Sequence, residues 1–154
     1  MEGRVIGGVL RVLAPYRISE EKIGKIAKKF LRSIRKKEKR KESNSSLAKR
    51  AKIINKKYFQ GKLKDFSIIW SPRQKKRLFG VCDHKKREIR ITARVKKAPA
   101  WVQDYLLIHE LAHLMERNHG KNFWRLVKQF KKTSEAKAFL KGMDYWREQT
   151  ENER

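Results

Sequence analysis

HELAHLMERNHG, residues 109–120, holds three of the chain's four histidines. Its first five residues spell HExxH, and two histidines four apart on a helix stand one turn apart on the same side. His109 and His113 can therefore offer imidazole nitrogens to a single metal ion. Glu110 is rotated from His109 by roughly 100°, which keeps it off the metal but within reach of a water. A zinc ion with three protein ligands leaves its fourth position to a water whose pKa falls to about 7. Glu110 can accept that proton as the oxygen attacks a polarised carbonyl. The expected chemistry is hydrolysis, with Glu110 as general base.

The third ligand needs a different geometry. On an unbroken helix His119 would lie about 9 Å beyond His113 and about 120° around the axis, too far to share a metal. The chain is expected to leave the helix near Arg117 or Asn118, because asparagine tolerates the left-handed conformation of such an exit. Gly120 permits a sharp change of direction. The pattern HExxHxxGxxH has a glycine where this chain has Glu116, so the turn must be made by other means. Glu116 and Glu135 stand as rival third ligands. The plain alternative is that these are ordinary core or surface histidines. Against it, Tyr105, Leu106, Leu107, Ile108, Leu111, Ala112 and Leu114 make the helix apolar on both sides, as suits a buried helix gathering its polar groups around a metal.

Around this helix the chain reads as α+β. Val5-Ile6, Gly7-Gly8 and Val9 to Leu13 predict a hairpin, since Gly-Gly supplies a tight turn, and Pro15 closes it. Ser19 reads as an N-cap followed by Glu20 and Glu21, favourable at the positive end of a helix. Ile23, Ile26, Ala27, Phe30, Leu31 and Ile34 form an apolar stripe that fades into RKKEKRK, residues 35–41. Ser43-Asn44-Ser45-Ser46 reads as a linker before a second helix bearing Leu47, Ala51, Ile54 and Tyr58. Gly61 ends that region. Three strands follow, Phe66 to Trp70, Leu78 to Cys82 and Glu88 to Thr92, the last two paired across DHKKR at 83–87. Pro99 suits the start of the histidine helix. Further helices are expected around Asn122 to Phe130 and Ser134 to Leu140, stopped by Gly142, with a loose tail TENER.

The 154 residues suit one compact domain. Lys and Arg outnumber Asp and Glu by 42 to 16, a formal net charge of +26. Such a field attracts polyanions and opposes self-association, so non-specific nucleic acid is a candidate partner and a monomer is expected. Residues 1–57 carry 19 of the basic and 5 of the acidic side chains, so the excess is spread over the chain rather than held in a tail. The run at 35–41 reads as a solvated helix end rather than a phosphate-binding strip. Cys82 is the only cysteine. That excludes an internal disulfide and a zinc ribbon, and points to a reducing, cytoplasmic setting. No apolar run approaches the ~20 residues that cross a bilayer, and the start does not read as a signal peptide. His84, in a hairpin turn, reads as a surface residue and Cys82 as a lone thiol, with a joint metal role as the alternative.

NKKYFQGKL, RLFGVCD, REIRITARV, APAWVQDYLLIHELAHL and NHGKNFW stand in the order and spacing of the YgjP-like metallopeptidase family, which the chain resembles. The resemblance is good over residues 52–142 and weaker over 9–37. It implies a single zincin-like domain, distantly related to the SprT-like proteases, with a small, twisted, mainly antiparallel sheet against the HExxH helix and further helices on either side. Residues 1–45 would be a hairpin and basic amphipathic helix of the same fold, 46–142 the metallopeptidase core and 143–154 a tail. The family's metal ligands fall on His109, His113 and His119, and its catalytic glutamate on Glu110. Phe123-Trp124 matches an aromatic pair expected under the metal-binding turn. Where the family commonly has Trp-Gly-Ser-Cys, this chain has Phe79-Gly80-Val81-Cys82, so any role of the serine hydroxyl has no counterpart. The resemblance implies an extended peptide or protein substrate added at the sheet edge.

Three functional readings follow. The first is a zinc-dependent peptidase. The second is a nucleic-acid-associated protein, either a protease acting on nucleoprotein or a carrier of structural zinc. The third is a silent relative that keeps the metal and cleaves nothing. Tyr105, Arg77 and Tyr145 are candidates for stabilising the transition state, and spacing does not choose among them.

Overall fold

The computed structural model describes residues 2–7, 9–13, 17–72 and 78–152. Side chains are described over the same ranges except residues 2, 3 and 146–152. Gly8, Pro15, Arg77, Glu153 and Arg154, which carried sequence expectations, lie outside the described residues. Among the described residues the α+β reading holds: two small sheets and four α-helices. The chain divides into two compact units, Met1–Ser43 and Asn44–Arg154.

In the first unit, β1 (Glu2–Ile6) and β2 (Val9–Leu13) form the expected antiparallel hairpin. Gly7 turns it at φ +58°, a conformation that costs a glycine nothing. Helix α1 spans Glu20–Tyr58 and has Glu20 and Glu21 in its first turn.

The linker expectation at 43–46 is overturned, because these residues lie inside α1. Serine and asparagine lower helix propensity by only a few tenths of a kcal/mol each, and neither glycine nor proline interrupts the run. Asn44 also has a tertiary role: its Oδ1 accepts from the Trp70 backbone N–H at 3.0 Å.

The second unit holds a three-stranded sheet, order β3 (Ser67–Ser71), β5 (Glu88–Thr92), β4 (Gly80–Asp83). Strands β4 and β5 pair antiparallel across the 83–87 turn, as the sequence predicts. Strand β3 runs parallel to β5, so the sheet is mixed. Register puts Ile68, Trp70, Ile89, Ile91, Gly80 and Cys82 on one face, and the four large apolar residues among them are buried. A 3-10 helix, Ala93–Lys97, leads into α2 (Ala100–His113), which starts directly after Pro99. Helix α2 lies against β4 and β5 and buries eight of its fourteen residues, Glu110 among them. Arg50 of α1 fixes the start of α2 by donating to Asp104 Oδ1 (2.7 Å) and to the Ala100 carbonyl (2.8 Å).

Helix α3 (Lys121–Val127) and helix α4 (Thr133–Asn152) complete the unit. Gly142 does not stop the last helix, and the stretch expected as a tail is helical to Asn152. A mid-helix glycine costs about 1 kcal/mol, and buried Ala136 and Leu140, with Met143 against the same core, hold this helix in place. Among the described residues no helix is long and apolar enough to cross a membrane.

Candidate metal centre

Helix α2 ends at His113, earlier than the sequence suggested. The exit is not left-handed either: no residue from 114 to 119 has a positive φ. The last turn tightens instead, with the Leu114 N–H reaching the Leu111 carbonyl, and both Met115 and Glu116 N–H groups reaching Ala112 O. The chain then crosses back, and Gly120 N–H donates to Asn118 O at 2.8 Å. His119 is thereby returned to the helix end. Stopping at His113 gives five residues for the return, where a later exit would have left one or two.

One ring nitrogen from each of His109, His113 and His119 lies within 4.8 Å of the other two, a group that can hold a metal ion. Neither Glu116 nor Glu135 belongs to it. Glu135 is exposed on α4, and Glu116 contributes its carbonyl, which accepts from His113 Nδ1 at 3.2 Å. That bond leaves His113 Nε2 facing the cluster. His109 and His119 approach through their Nε2 atoms, 3.2 Å apart. Three nitrogens at ~2.0–2.1 Å from a tetrahedral zinc would be roughly 3.3 Å from one another, a spacing the His109–His119 pair has. Phe123, fully buried, touches all three imidazoles at centroid distances of 4.6–4.9 Å, and Trp124 stacks on His119 at 5.8 Å. The expected placement of this aromatic pair under the turn is what the structure has.

The three rings are oriented by different means. His113 is held by its hydrogen bond, and His119 by the stack on Trp124. His109 Nδ1 is buried without a hydrogen-bond partner among the described residues; the ring is fixed by Tyr105, Phe123 and Trp124 around it. Burial lowers the pKa of His109 to about 3, helped by His113, His119 and Lys137. Burial lowers that of His113 too. Neutral imidazole is the metal-binding form.

Glu110, turned about 100° around α2 from His109, lies against β4. Its side chain lies on Gly80: a Cβ there would overlap Oε1 and Cδ and stand 2.6 Å from Cγ. Any larger residue there would require the Glu110 side chain to shift, and sequence reasoning missed this role although the resemblance kept the glycine. Burial raises the Glu110 pKa to about 8. Cys82, two residues along β4, is half-buried, and its thiol is pushed up to about 11 by burial and then by Glu110 and Asp83. It is not part of the metal group. His84, two residues further, is partly buried and near enough to His113 for its charge to lower that imidazole's pKa. Of the transition-state candidates, Tyr105 is buried one turn before His109, Tyr145 is 60 % exposed, and Arg77 lies outside the described residues.

A comparison with curated proteins and with solved structures finds no match. A family model described as YgjP-like, metallopeptidase domain, matches residues 69–142. The matched stretch runs from β3 into α4 and contains Gly80, Glu110, the three histidines and the Phe123-Trp124 pair. The likeness read from the sequence at 52–68 and 9–37 is outside it. Over residues 69–142, just under half of the chain, the sequence is therefore similar to the YgjP-like metallopeptidase domain.

Proposed function

We propose that the protein is a zinc peptidase in which His109, His113 and His119 hold the ion and Glu110 is the general base. The observation that carries this reading is the convergence of three imidazoles, from a helix end and a returning turn, with a buried carboxyl group on the same helix. A divalent ion in such a site supplies Lewis-acid polarisation of the scissile carbonyl and acidifies a water.

The chain's own residues do the rest. Phe123 and Trp124 hold the three rings in place and keep bulk water from one side. Glu110, pinned on Gly80, takes a proton at its carboxylate as the water oxygen bonds to the carbonyl carbon. It then delivers that proton to the amine as the C–N bond breaks. Burial alone favours the protonated carboxyl group, and a cation at the histidines opposes it. The balance brings the pKa toward neutrality, where one group serves as both base and acid. Strand β4, at the end of the strand order and against α2, supports reading the substrate as an extended peptide added beside Glu110.

The test is metal analysis paired with peptide cleavage. Zinc should be stoichiometric in the wild type and lost in His113→Ala. Glu110→Gln should keep its zinc and lose at least about a hundredfold in kcat, the range for a positioned general base. Full cleavage by metal-free protein, or by Glu110→Gln, refutes the mechanism.

A further inference from the structure

Beyond the histidines, α3 presents one face that the proposed chemistry does not use. Lys121, Arg125 and Lys128 recur at spacings of four and three and are all exposed. With His119, Gly120 and Trp124 they line an open pocket of about 500 Å³. His119 thus borders both the metal group and this pocket. Among the described residues no carboxylate pairs with any of the three cations, whereas Arg50, Arg90 and Arg94 each have one. A fourth cation, Lys137 of α4, sits 4.7 Å from the centroid of the Trp124 ring.

We propose that this pocket is a subsite for an acidic side chain of the peptide substrate, flanking the scissile bond. The inference rests on the peptidase reading of the adjoining centre and names its substrate class. Three unpaired cations around one concavity favour a carboxylate, and the arginine can bind it in bidentate fashion. Because His119 forms the wall, a side chain bound here belongs to a residue one or two positions from the reacting carbonyl, at ~3.3 Å per residue of extended chain. The pocket is the size of one or two residues. Its single aromatic, Trp124, is already engaged by His119 and Lys137 rather than presented to a base. Single-strand binding sites use aromatic rings as stacking platforms, so the arrangement favours a peptide over a polynucleotide.

The experiment measures binding by zinc-loaded Glu110→Gln protein, which keeps the substrate intact. The probes are a labelled decapeptide whose only charged side chains are two central glutamates, its two-glutamine counterpart, and a labelled oligodeoxynucleotide. Two further proteins are made on the same background. In one, Lys121→Glu, Arg125→Glu and Lys128→Glu reverse the pocket. In the other, Lys49→Glu, Lys52→Glu and Lys56→Glu make the same net charge change on an exposed face of α1, outside the pocket lining. At 0.15 M salt the glutamate peptide should bind at least about tenfold tighter than the glutamine peptide. The pocket reversal should abolish that preference, and the α1 reversal should keep it.

Equal affinity for the two peptides overturns the proposal. So does a preference that survives pocket reversal, or one that both reversals abolish, since the overall field would then be the cause. Tight oligonucleotide binding that the pocket reversal abolishes, with no peptide preference, makes the pocket a phosphate site and overturns it too. Cleavage of the same peptides by the Glu110 protein separates the two readings. Zinc-loaded protein that binds the glutamate peptide and cleaves neither peptide refutes the peptidase and leaves the subsite standing.

Discussion

Helix α2 and the first 24 residues of α1 both carry apolar residues at helical spacing, yet they end in opposite environments. Eight of the fourteen α2 residues are buried. None of residues 20–43 is, and Ile26 and Leu31 remain more than a third exposed. An apolar stripe says which side of a helix would be covered; the composition of the other side says whether the helix can be enclosed. Residues 20–43 include eleven Lys or Arg, and α2 has none. In α2 burial bears directly on the chemistry of Glu110 and of the two histidines. It favours the neutral forms of His109 and His113 and the protonated form of Glu110. Along α1 the same residue types would stay solvated and inert.

The strongest way to break the α2 side of this contrast is at Gly80. Gly80→Ala places a methyl group into the Glu110 carboxyl group, on a helix that lies against β4 and β5. Overpacking of this kind costs about 1–3 kcal/mol. Urea denaturation should show that loss, together with a fall in peptide cleavage at retained zinc. Unchanged stability with unchanged cleavage would mean that Glu110 is free to leave β4 and that its confinement is not what sets its pKa.

A second test uses pH on metal-free protein. Glu110 has a folded pKa near 8 against 4.5 when exposed. The folded state therefore binds more protons between those values, and stability is lost as pH rises through that window. His109 has a folded pKa near 3 against 6.5. The folded state binds fewer protons there, so stability is lost as pH falls below 6.5, and His113 acts in the same direction. Between pH 4.5 and 6.5 the Glu110 and His109 slopes cancel, and His113 tips the balance toward loss of stability as pH falls. Between pH 6.5 and 8 Glu110 acts alone, at about 1.4 kcal/mol per pH unit, or about 2 kcal/mol in all. Melting curves with chelator present should show that alkaline arm in wild type and not in Glu110→Gln. An arm of equal size in both proteins would assign it elsewhere.

How much of this was legible beforehand divides along the same line. HExxH states its geometry in its spacing, because a helix fixes where residues four apart must point. That His119 had to return was likewise a consequence of helical rise. The place of the exit was not, since a tightened last turn and a left-handed exit satisfy the same carbonyls. Gly80 carried no readable signal of its own: its role depends on Glu110, thirty residues away, and on a strand–helix contact that local patterns do not encode. The Ser43–Ser46 stretch misled because its composition matches a linker. What keeps it helical is the absence of a breaker and the bond from Trp70 to Asn44, a partner 26 residues downstream.

The smallest effect belongs to α1, and it is the sharpest check on the contrast. Leu31→Ala removes an apolar side chain that is 38 % exposed and substitutes a residue with equal or better helix propensity. Little burial is lost and the helix gains slightly, so stability should change by no more than about 0.5 kcal/mol, as surface substitutions do. A loss of about 2 kcal/mol or more in thermal or urea unfolding would be the signature of a filled core site. It would mean that the stripe on residues 20–43 is covered in solution, and that the lysines and arginines around it frame an interface instead of simply facing solvent.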